Sequence, residues 1–392
     1  MRSNLSDVIV LGLGGVGSSV VYHLASRGLR VLGLERFGAT HNHGSSHGDS
    51  RIIRQAYHEH PSYVPLVRRA YQLWERLERD SKTSVLRQTG GLMIGPPGSP
   101  IVEGAILSAT QHDLPFQILN AHEMIRRFPV LNPRPHETAF YEAMAGYLRP
   151  EAAIHAHLKM AEVCGAELHF HEAASDWHAH QSGDQVTVKT SIATYQGGHL
   201  IVAPGAWAPE ILAGLHIPFD VRRHVMCWFQ PLGGSDGFQP EQLPIYIWDV
   251  DAGHCFYGFP AIGGPTNGVK AAMHSGGRAC TANNVDRNIS ESDVAEVRTY
   301  LQRFIPSLNG QLLRAATCMY TLTPDRHFVV GIHHSHPQVC VAAGFSGHGF
   351  KFATVMGEIL ADLTIDGRTN HPIALLSPTR FSNYIIAPDQ HL

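Results

Sequence analysis

The chain has 392 residues, of which 44% are hydrophobic, and its formal net charge at pH 7 is −3. This length is enough for two or three domains with a large core. The weak net charge gives no general attraction for nucleic acid or an acidic membrane surface. The sequence has no apolar run of about eighteen residues and no basic and apolar leader before its first predicted strand, so we expect no membrane span and no secretory signal.

The cysteine and histidine patterns indicate neither disulfides nor a metal. The six cysteines are scattered without a C-x-x-C pair, which is typical of free thiols in a reducing cytoplasm. Histidines cluster at residues 41–47 and 333–336, and histidine-rich tracts can bind metals. Because no cysteine or carboxylate spacing supports such a site, we expect these histidines to be solvated or to stabilise loops.

The N-terminal segment contains a glycine-rich turn between a strand and a helix. Residues 7–11 are apolar and β-branched and predict a buried strand, and residues 18–26 predict a helix. Between them Gly12, Gly14 and Gly17 form the pattern G-x-G-x-x-G. Such glycines allow a tight turn, a close approach to a pyrophosphate and close helix–strand packing, and the helix N-terminus then faces the phosphates.

A second strand leads to an acidic residue at a meaningful distance from this turn. Gly28 ends the helix, residues 29–34 predict a strand, and Glu35 follows directly. The interval from Gly17 to Glu35 is close to the ~20 residues that separate the glycines from a ribose-binding acid in dinucleotide-binding units. The whole unit predicts a site for an adenine dinucleotide. The alternative is a structural glycine turn in another α/β protein.

Apolar periodicity predicts the remaining helices, and strand patterns suggest two interleaved domains. Helices are predicted near residues 62–77, 101–112, 121–128, 150–163, 290–304 and 352–363. Arg51 and Arg54 end a polar loop and would share one face if their segment were helical. Residues 1–88, 149–220 and 323–392 form the predicted dinucleotide domain. Residues 89–148 and 221–322 form the predicted substrate domain, whose strands alternate as antiparallel strands do.

Several separated motifs resemble one family, the flavoprotein amine oxidases of the monomeric sarcosine oxidase and N-methyltryptophan oxidase type. The matching segments are GLGGVG, GSSHGDSRIIR, the turn at residues 257–260, VKAAMH, CMYTLTPDRHF and GFSGHGFKF, in the family's order. The resemblance implies an α/β plus α+β fold. A discontinuous, Rossmann-like FAD-binding domain of the p-hydroxybenzoate hydroxylase type would carry a mixed, largely antiparallel-sheet substrate domain.

The resemblance also implies roles for individual residues. The implied substrate-binding residues are Arg54, Lys351, Tyr257 and Trp248, of which the two cations would hold a carboxylate. The implied catalytic residues are Arg51, Lys270, His274 and Tyr320, with Lys270 as a fixed cation for the reaction with oxygen. The implied cofactor-binding residues are Gly12, Gly14, Gly15, Val16, Gly17, Glu35, Arg36, Ser46, His47, Ser50, Arg51, Gly205, Trp207, Cys318, Met319, Gly347, His348, Gly349 and Lys351.

By the same resemblance the cofactor is FAD, attached covalently through Cys318. From its residue type alone, Cys318 would be an ordinary buried thiol. The implied activity oxidises the C–N bond of a secondary amino acid to an imine and reduces oxygen to hydrogen peroxide. We therefore expect a cytoplasmic monomer that acts on a small molecule and oxygen, with no nucleic-acid, membrane or metal partner.

The sequence departs from the family pattern at three points. Ser46 replaces a histidine, Trp248 lies where sarcosine-type members carry a slimmer residue, and residues 261–268 are one residue longer. These departures favour a larger N-methyl amino acid, a cyclic imino acid such as pipecolate, or a glycated amino acid over sarcosine. Three alternatives stay open: an NAD-dependent dehydrogenase, a flavin dehydrogenase that reduces a carrier protein, and a flavin-binding protein without turnover.

Overall fold

Two large sheets and a small one organise the chain in the computed structural model, which describes residues 5–251, 253–264 and 266–382. The helices are α1 (Gly15–Ala25), α2 (Tyr63–Ser81), α3 (Pro100–Gln111), α4 (Ala121–Arg127), α5 (Pro150–Val163), α6 (Ala208–Ile211), α7 (Glu291–Phe304) and α8 (Ala353–Asp366).

The strands comprise β1 (Leu5–Leu11), β2 (Val31–Leu34), β3 (Arg51–Ile53), β4 (Leu86–Gln88), β5 (Gly91–Gly95), β6 (Gln117–Asn120), β7 (Thr138–Glu142), β8 (Gly146–Leu148), β9 (Glu167–His169), β10 (Ala174–Ala179), β11 (Val186–Thr190), β12 (Thr194–Val202), β13 (Asp220–Phe229), β14 (Ile245–Asp251), β15 (His254–Gly258), β16 (Val269–Met273), β17 (Arg278–Ala279), β18 (Leu312–Leu322), β19 (Val329–His333) and β20 (His336–Ala343).

The first sheet has a parallel centre. Its order is β10-β11-β12-β1-β2-β9, and β20 pairs with β12 while β19 pairs with β20. Strands β9, β2, β1, β12 and β20 run parallel. Val8, Ile9 and Val10 of β1 are all completely buried, as expected for a strand with both faces covered. Helices α1, α2, α5 and α8 contribute to the core on one face through Val20, Trp74, Ile154 and Ile359.

The second sheet is largely antiparallel. Its order is β17-β13-β16-β15-β14-β5-β7-β6, with β18 beside β13, and β14–β5 is its parallel pair. Its own core includes Trp248, Phe256 and Phe304, the last from α7. The small sheet, β3-β8-β4, supplies Arg51. The predicted combination of an α/β part with a largely antiparallel part is confirmed.

One local prediction is wrong. The segment after the polar loop is a strand, β3, and it is not helical. Arg51 and Ile53 pair with Leu148 and Gly146 of β8, so the neighbouring strand satisfies the backbone of a segment whose isoleucines favour β structure. The shared helical face of Arg51 and Arg54 therefore does not exist. No helix within the described residues is both long and apolar enough to cross a membrane.

Candidate active site

A cavity of about 470 Å³ brings most of the predicted site residues together. It begins at the carboxyl ends of the parallel strands, where α/β sheets bind ligands. The predicted residues that line it are Gly12, Gly14, Gly15, Val16, Glu35, Arg36, Ser46, Arg51, Arg54, Gly205, Trp207, Tyr257, His274, Met319, Tyr320, Gly347, His348, Gly349 and Lys351. Gly17, His47, Ser50, Trp248, Lys270 and Cys318 lie outside the lining.

The glycine turn is required by close backbone packing. A Cβ atom on Gly17 would lie 1.7 Å from the carbonyl oxygen of Gly12, and one on Gly12 would lie 2.5 Å from that of Ala203. Gly12 also has a φ of 84°, which favours glycine. A Cβ on Gly14 would meet nothing within 4 Å. Gly14 precedes α1, so the free N–H groups of this helix and the open space coincide.

Glu35 is buried beside the same turn and already bonds to protein. Its Oε2 accepts a hydrogen bond from the N–H of Leu13 at 2.8 Å, and its Oε1 accepts one from the N–H of Phe37 at 3.0 Å. The Nε2 atom of His41 lies 3.3 Å from Oε1. The carboxylate therefore fixes the glycine turn as well as lining the cavity, and its predicted ribose contact stays a prediction.

Arg51 joins the loop before β3 to strand β18. Its Nη2 donates to the carbonyl of Ser45 at 2.7 Å and lies 3.7 Å from the sulfur of Cys318. The hydroxyl of Ser45 in turn donates to the carbonyl of Met319 at 2.5 Å. Ser45, which the sequence analysis did not single out, therefore fixes both Arg51 and the β18 backbone.

Arg54 forms the charged inner end of the cavity with a carboxylate that the sequence analysis missed. Its Nη2 donates to Oε2 of Glu59 at 2.6 Å, and its Nη1 donates to the carbonyl of Ala56 at 2.9 Å. Arg54 is only 1% exposed, and its Nε has no partner among the described residues. The signal available in the sequence was an acid five residues after an arginine in a segment otherwise rich in histidine and aromatic residues.

Lys351 lies beside Arg54 over the same aromatic ring. The Arg54 guanidinium carbon is 4.3 Å and the Lys351 Nζ 5.2 Å from the centre of the Tyr57 ring. The Lys351 Nζ also donates to the carbonyl of His348 at 2.7 Å. Burial and the positive charge of Arg54 lower the pKa of Lys351 to about 7, against the opposing effect of Glu59. The charge of Lys351 is therefore sensitive to pH in the neutral range.

Three histidines at this end are uncharged at neutral pH. Burial is the main cause that lowers the pKa of His274 to about 4 and those of His58 and His348 to about 3. The Nδ1 of His348 bonds to the hydroxyl of Tyr57, and its Nε2 lies 3.0 Å from the carbonyl of Arg326. Since a carbonyl can only accept, the geometry assigns the proton of neutral His348 to Nε2.

Trp248 is a correction to the predicted pocket. Its side chain is fully buried, packs on Phe256 and Phe304, and donates from Nε1 to Glu137 at 3.3 Å. Successive side chains of a strand point to opposite faces, and it is the neighbouring Ile247 that lines the cavity. The prediction that Trp248 shapes the pocket is wrong, so this argument against sarcosine fails. Pro265, in the longer segment 261–268, lies outside the described residues.

Lys270 lies behind the cavity wall. It is 2% exposed, and its Nζ donates to the carbonyls of Gly48 at 2.8 Å and Ser50 at 2.7 Å. Cys318 is also buried behind the wall, near Arg51. The His47 Nε2 and Ser50 Oγ are buried without partners among the described residues. Within those residues, no group of three or more His, Cys, Asp or Glu is arranged to hold a metal ion.

Asn283, an asparagine that was not among the predicted site residues, connects three side chains at the glycine-turn end of the cavity. The Oδ1 of Asn283 accepts from the guanidinium of Arg36 and the indole of Trp207, both at 2.9 Å. Its Nδ2 lies 2.8 Å from both carboxylate oxygens of Glu210. These three partners line the cavity, and no motif in the sequence marks Asn283.

These observations fit a dinucleotide cofactor. The open space over Gly14, the unpaired N–H groups of α1 and the close packing of Gly12 and Gly17 form a backbone cradle, which is how phosphates are bound at such turns. The cavity then extends to the buried cations Arg54 and Lys351. The lining therefore offers a backbone cradle for phosphates at one end and cationic groups for a small anion at the other.

Comparison with known proteins agrees with this geometry. The family model described as FAD dependent oxidoreductase matches residues 7–363. A Streptomyces avermitilis protein named monomeric sarcosine oxidase is 51% identical over 377 residues, covering 96% of this chain and 98% of that protein. The N-methyl-L-tryptophan oxidase of Salmonella heidelberg is 33% identical over 380 residues, with 96% and 99% coverage.

Solved structures show the same fold. L-proline dehydrogenase from P. horikoshii superposes with a TM-score of 0.82 at 26% identity, covering 97% of this chain and 98% of that one. NikD, described as an unusual amino acid oxidase, has a TM-score of 0.82 at 22% identity, with 95% and 97% coverage. The predicted family is confirmed: this chain belongs to the FAD dependent oxidoreductase family, and FAD is its cofactor.

Proposed function

We propose that the protein is an oxidase of secondary amino acids, with N-methyl amino acids as its main substrates. The observation that carries the proposal is one cavity that joins the glycine cradle to two buried cations, Arg54 and Lys351. The 51% identity to a protein named monomeric sarcosine oxidase supports the substrate class. With the Trp248 argument removed, sarcosine belongs among the first substrates to test.

Oxygen accepts the electrons and protons that the substrate loses in the proposed reaction. The substrate loses two electrons and two protons from its C–H and N–H bonds and becomes an imine, and oxygen gains them as hydrogen peroxide. Water then adds to the imine and releases an aldehyde and an amine. When bound, FAD supplies the two-electron redox chemistry.

The side chains at the inner end bind and orient the substrate. The fork of Arg54 and the ammonium of Lys351 hold the carboxylate, and charge-assisted hydrogen bonds of this kind are about twice as strong as neutral ones. Ile247, Tyr257 and Tyr320 form the walls beside the substrate carbon. His274 also lines this part of the cavity, and because its imidazole is uncharged at neutral pH it adds no positive charge beside the substrate amine.

We propose that Cys318 holds the cofactor covalently. Its sulfur is buried 3.7 Å from the Arg51 guanidinium and 3.6 Å from the Ser45 carbonyl, and both of these residues line the cavity. In acid-precipitated protein, we expect the yellow colour to stay with the wild-type chain and to be released from Cys318→Ala. Cys227→Ala is the matched control, because Cys227 is equally buried but packs in the other core; release from the wild type would disprove the link.

A screen of sarcosine, N-methyltryptophan, proline and pipecolate tests the proposed function. We expect at least one of them to bleach the flavin without oxygen and to yield hydrogen peroxide in air. Bleaching without peroxide would favour transfer to a carrier protein, for which the likeness to a proline dehydrogenase structure is the reason to test. A monomer in gel filtration and a cytoplasmic location complete the proposal.

A further inference from the structure

The short segment of Gly48, Asp49 and Ser50 is held by charged side chains from three different elements. Glu151, at the start of α5, accepts at Oε1 from the N–H of Gly48 at 2.6 Å and of Asp49 at 3.2 Å. Lys270 of β16 donates to the two flanking carbonyls of Gly48 and Ser50. Arg314 of β18 pairs with the side chain of Asp49.

The segment has an unusual backbone conformation. Gly48 has a φ of 94° and Asp49 one of 68°, and this left-handed region is adopted mainly by glycine and, among residues with a side chain, by asparagine and aspartate. A Cβ on Gly48 would meet Met226 at 2.6 Å. The segment leads directly into Arg51, whose Nη1 donates back to the carbonyl of Ser50 at 2.7 Å. Its position therefore sets the position of Arg51.

Two cations, the buried Lys270 and the partly buried Arg51, donate to backbone carbonyls of this segment. Besides its two carbonyl partners, Lys270 faces Arg51, Glu151 and Cys318, and its Nζ lies 4.2 Å from the centre of the Phe259 ring and 5.6 Å from that of Trp228. His47, which is neutral because burial lowers its pKa to about 3, adds no charge. Glu151 is the carboxylate that acts on both cations.

We propose that Glu151 is a positioning residue that holds the Gly48–Ser50 segment and, through it, keeps Lys270 charged and Arg51 in place for the reaction with oxygen. The inference rests on the proposed oxidase function. Glu151 also lines a second cavity of about 300 Å³ on the outer side of the segment, together with Asp49, Arg149 and Asn267. It therefore acts from outside the main cavity and does not contact the substrate.

The direction of its electrostatic effect follows from the charges. Burial and the charge of Arg51 lower the pKa of Lys270 well below its usual value, while Glu151 raises it. Removing the negative charge must lower that pKa further. A neighbouring opposite charge typically shifts a pKa by about one unit, so for Glu151→Gln we expect the protonated fraction of Lys270 to fall about tenfold at a pH above both values.

Glu151→Gln separates charge from hydrogen bonding, because the amide oxygen can still accept from both N–H groups. In the FAD-loaded enzyme we expect flavin reduction by the best substrate to stay within about twofold of wild type. The reaction of reduced enzyme with oxygen should slow about tenfold at high pH and recover at low pH. Glu162→Gln, on the same helix and exposed, is the matched control and should behave as wild type.

A titration without turnover gives an independent measurement. The visible absorbance of the resting enzyme should show a pH-dependent change that Lys270→Met abolishes and that Glu151→Gln shifts about one unit lower. One outcome would disprove the role of Glu151 and leave the oxidase proposal intact. In it, the reduced Glu151→Gln enzyme reacts with oxygen at the wild-type rate at every pH, while the reduced Lys270→Met enzyme reacts slowly. Equal slowing of both half-reactions at every pH would show a merely structural role. A Lys270→Met variant with a normal oxygen reaction would instead overturn the proposed role of Lys270.

Discussion

The two ends of the cavity are built in different ways. At the glycine-turn end, the wall is made of backbone atoms: Gly17 packs on Gly12, Gly12 packs on Ala203, and the space beside Gly14 is open. At the inner end, Arg54 and Lys351 come from segments almost 300 residues apart and are held by a carboxylate, a carbonyl and an aromatic ring. Ligand binding at the first end should depend on the shape of the backbone, and ligand binding at the second end should depend on buried charges.

This difference predicts different consequences of mutation at the two ends. Substitutions in the glycine turn should either prevent folding or leave it unaffected, depending on the space available. Substitutions at the inner end should leave the fold intact and change binding in proportion to the charge removed.

The largest effect is expected for Gly17→Ala. Its Cβ would lie 1.7 Å from a backbone oxygen that cannot move away, so we expect a loss of at least about 3 kcal/mol in the free energy of unfolding or no soluble protein. Gly14→Ala is the matched control, because its Cβ would be in open space. It should unfold in urea within about 0.5 kcal/mol of wild type but contain little FAD, and normal FAD content in this variant would contradict phosphate binding at the turn.

A smaller but still large effect is expected for Arg54→Lys. Lysine cannot form the two-pronged contact with a carboxylate, and charge-assisted hydrogen bonds are each worth about 1.5–3 kcal/mol. We therefore expect KM for the best N-methyl amino acid to rise about 10- to 100-fold, with FAD content unchanged. Arg68→Lys, on the exposed surface of α2, is the control. A normal KM in Arg54→Lys would remove this residue from the carboxylate site.

The pH dependence of Lys351 gives an effect of intermediate size. Lysine is cationic below its pKa, which is about 7 here, so a carboxylate should bind more weakly as the pH rises from 7 to 9. Above the pKa, where the neutral form dominates, the loss can approach about tenfold per pH unit. Because a substrate amine titrates as well, the probe is propionate, which has no amine, followed by the change in flavin absorbance.

Lys351→Arg is the companion variant for this pH test. Arginine stays protonated throughout this range, so we expect its propionate affinity to be nearly flat between pH 7 and 9. The same downward slope in this variant would show that another group controls binding.

The smallest effects are expected for substitutions of Ile247 and its neighbour Trp248, which should change different properties of the enzyme. Ile247→Ala shortens a side chain of the cavity wall and so widens the cavity. It should raise kcat/KM for N-methyltryptophan relative to sarcosine by about tenfold and leave FAD binding at the glycine turn unchanged. Trp248→Phe loses the hydrogen bond to buried Glu137 and should cost about 1–3 kcal/mol of unfolding free energy without changing that ratio. The reverse result would restore Trp248 to the pocket.

The sequence predicted the glycine-turn end well because its signals are local. The strand, turn, helix and Glu35 all lie within residues 5–35, and the contacts of Gly17 with Gly12 and of Leu13 with Glu35 follow from that order. The contact of Gly12 with Ala203 does not. The helices α2, α5, α7 and α8 were also predicted from their apolar periodicity. The segment of β3 is the exception to this local prediction. The spacing of Arg51 and Arg54 is compatible with a helix, but the segment forms a strand because it pairs with β8, which is distant in sequence.

The inner end could be predicted only through resemblance, and its supporting residues were missed. Glu59 is only five residues from Arg54, but that spacing alone does not mark a buried ion pair. Ser45 and Glu151, and Asn283 at the other end, contact the site through partners distant in sequence or through backbone atoms, which no residue pattern encodes. Trp248 was assigned to the wrong face because a motif gives the strand but not which of two neighbours points into the cavity. Burial of the polar groups around Arg54 depends on the complete fold.

The most direct test of the account is an anaerobic titration of the purified protein with N-methyl amino acids, followed by flavin absorbance. We expect a yellow protein whose colour bleaches to completion with a saturable dependence on substrate, and a half-saturation point that Arg54→Lys moves upward. It would be contradicted by a folded protein that takes up no flavin, or by a flavin that no secondary amino acid reduces.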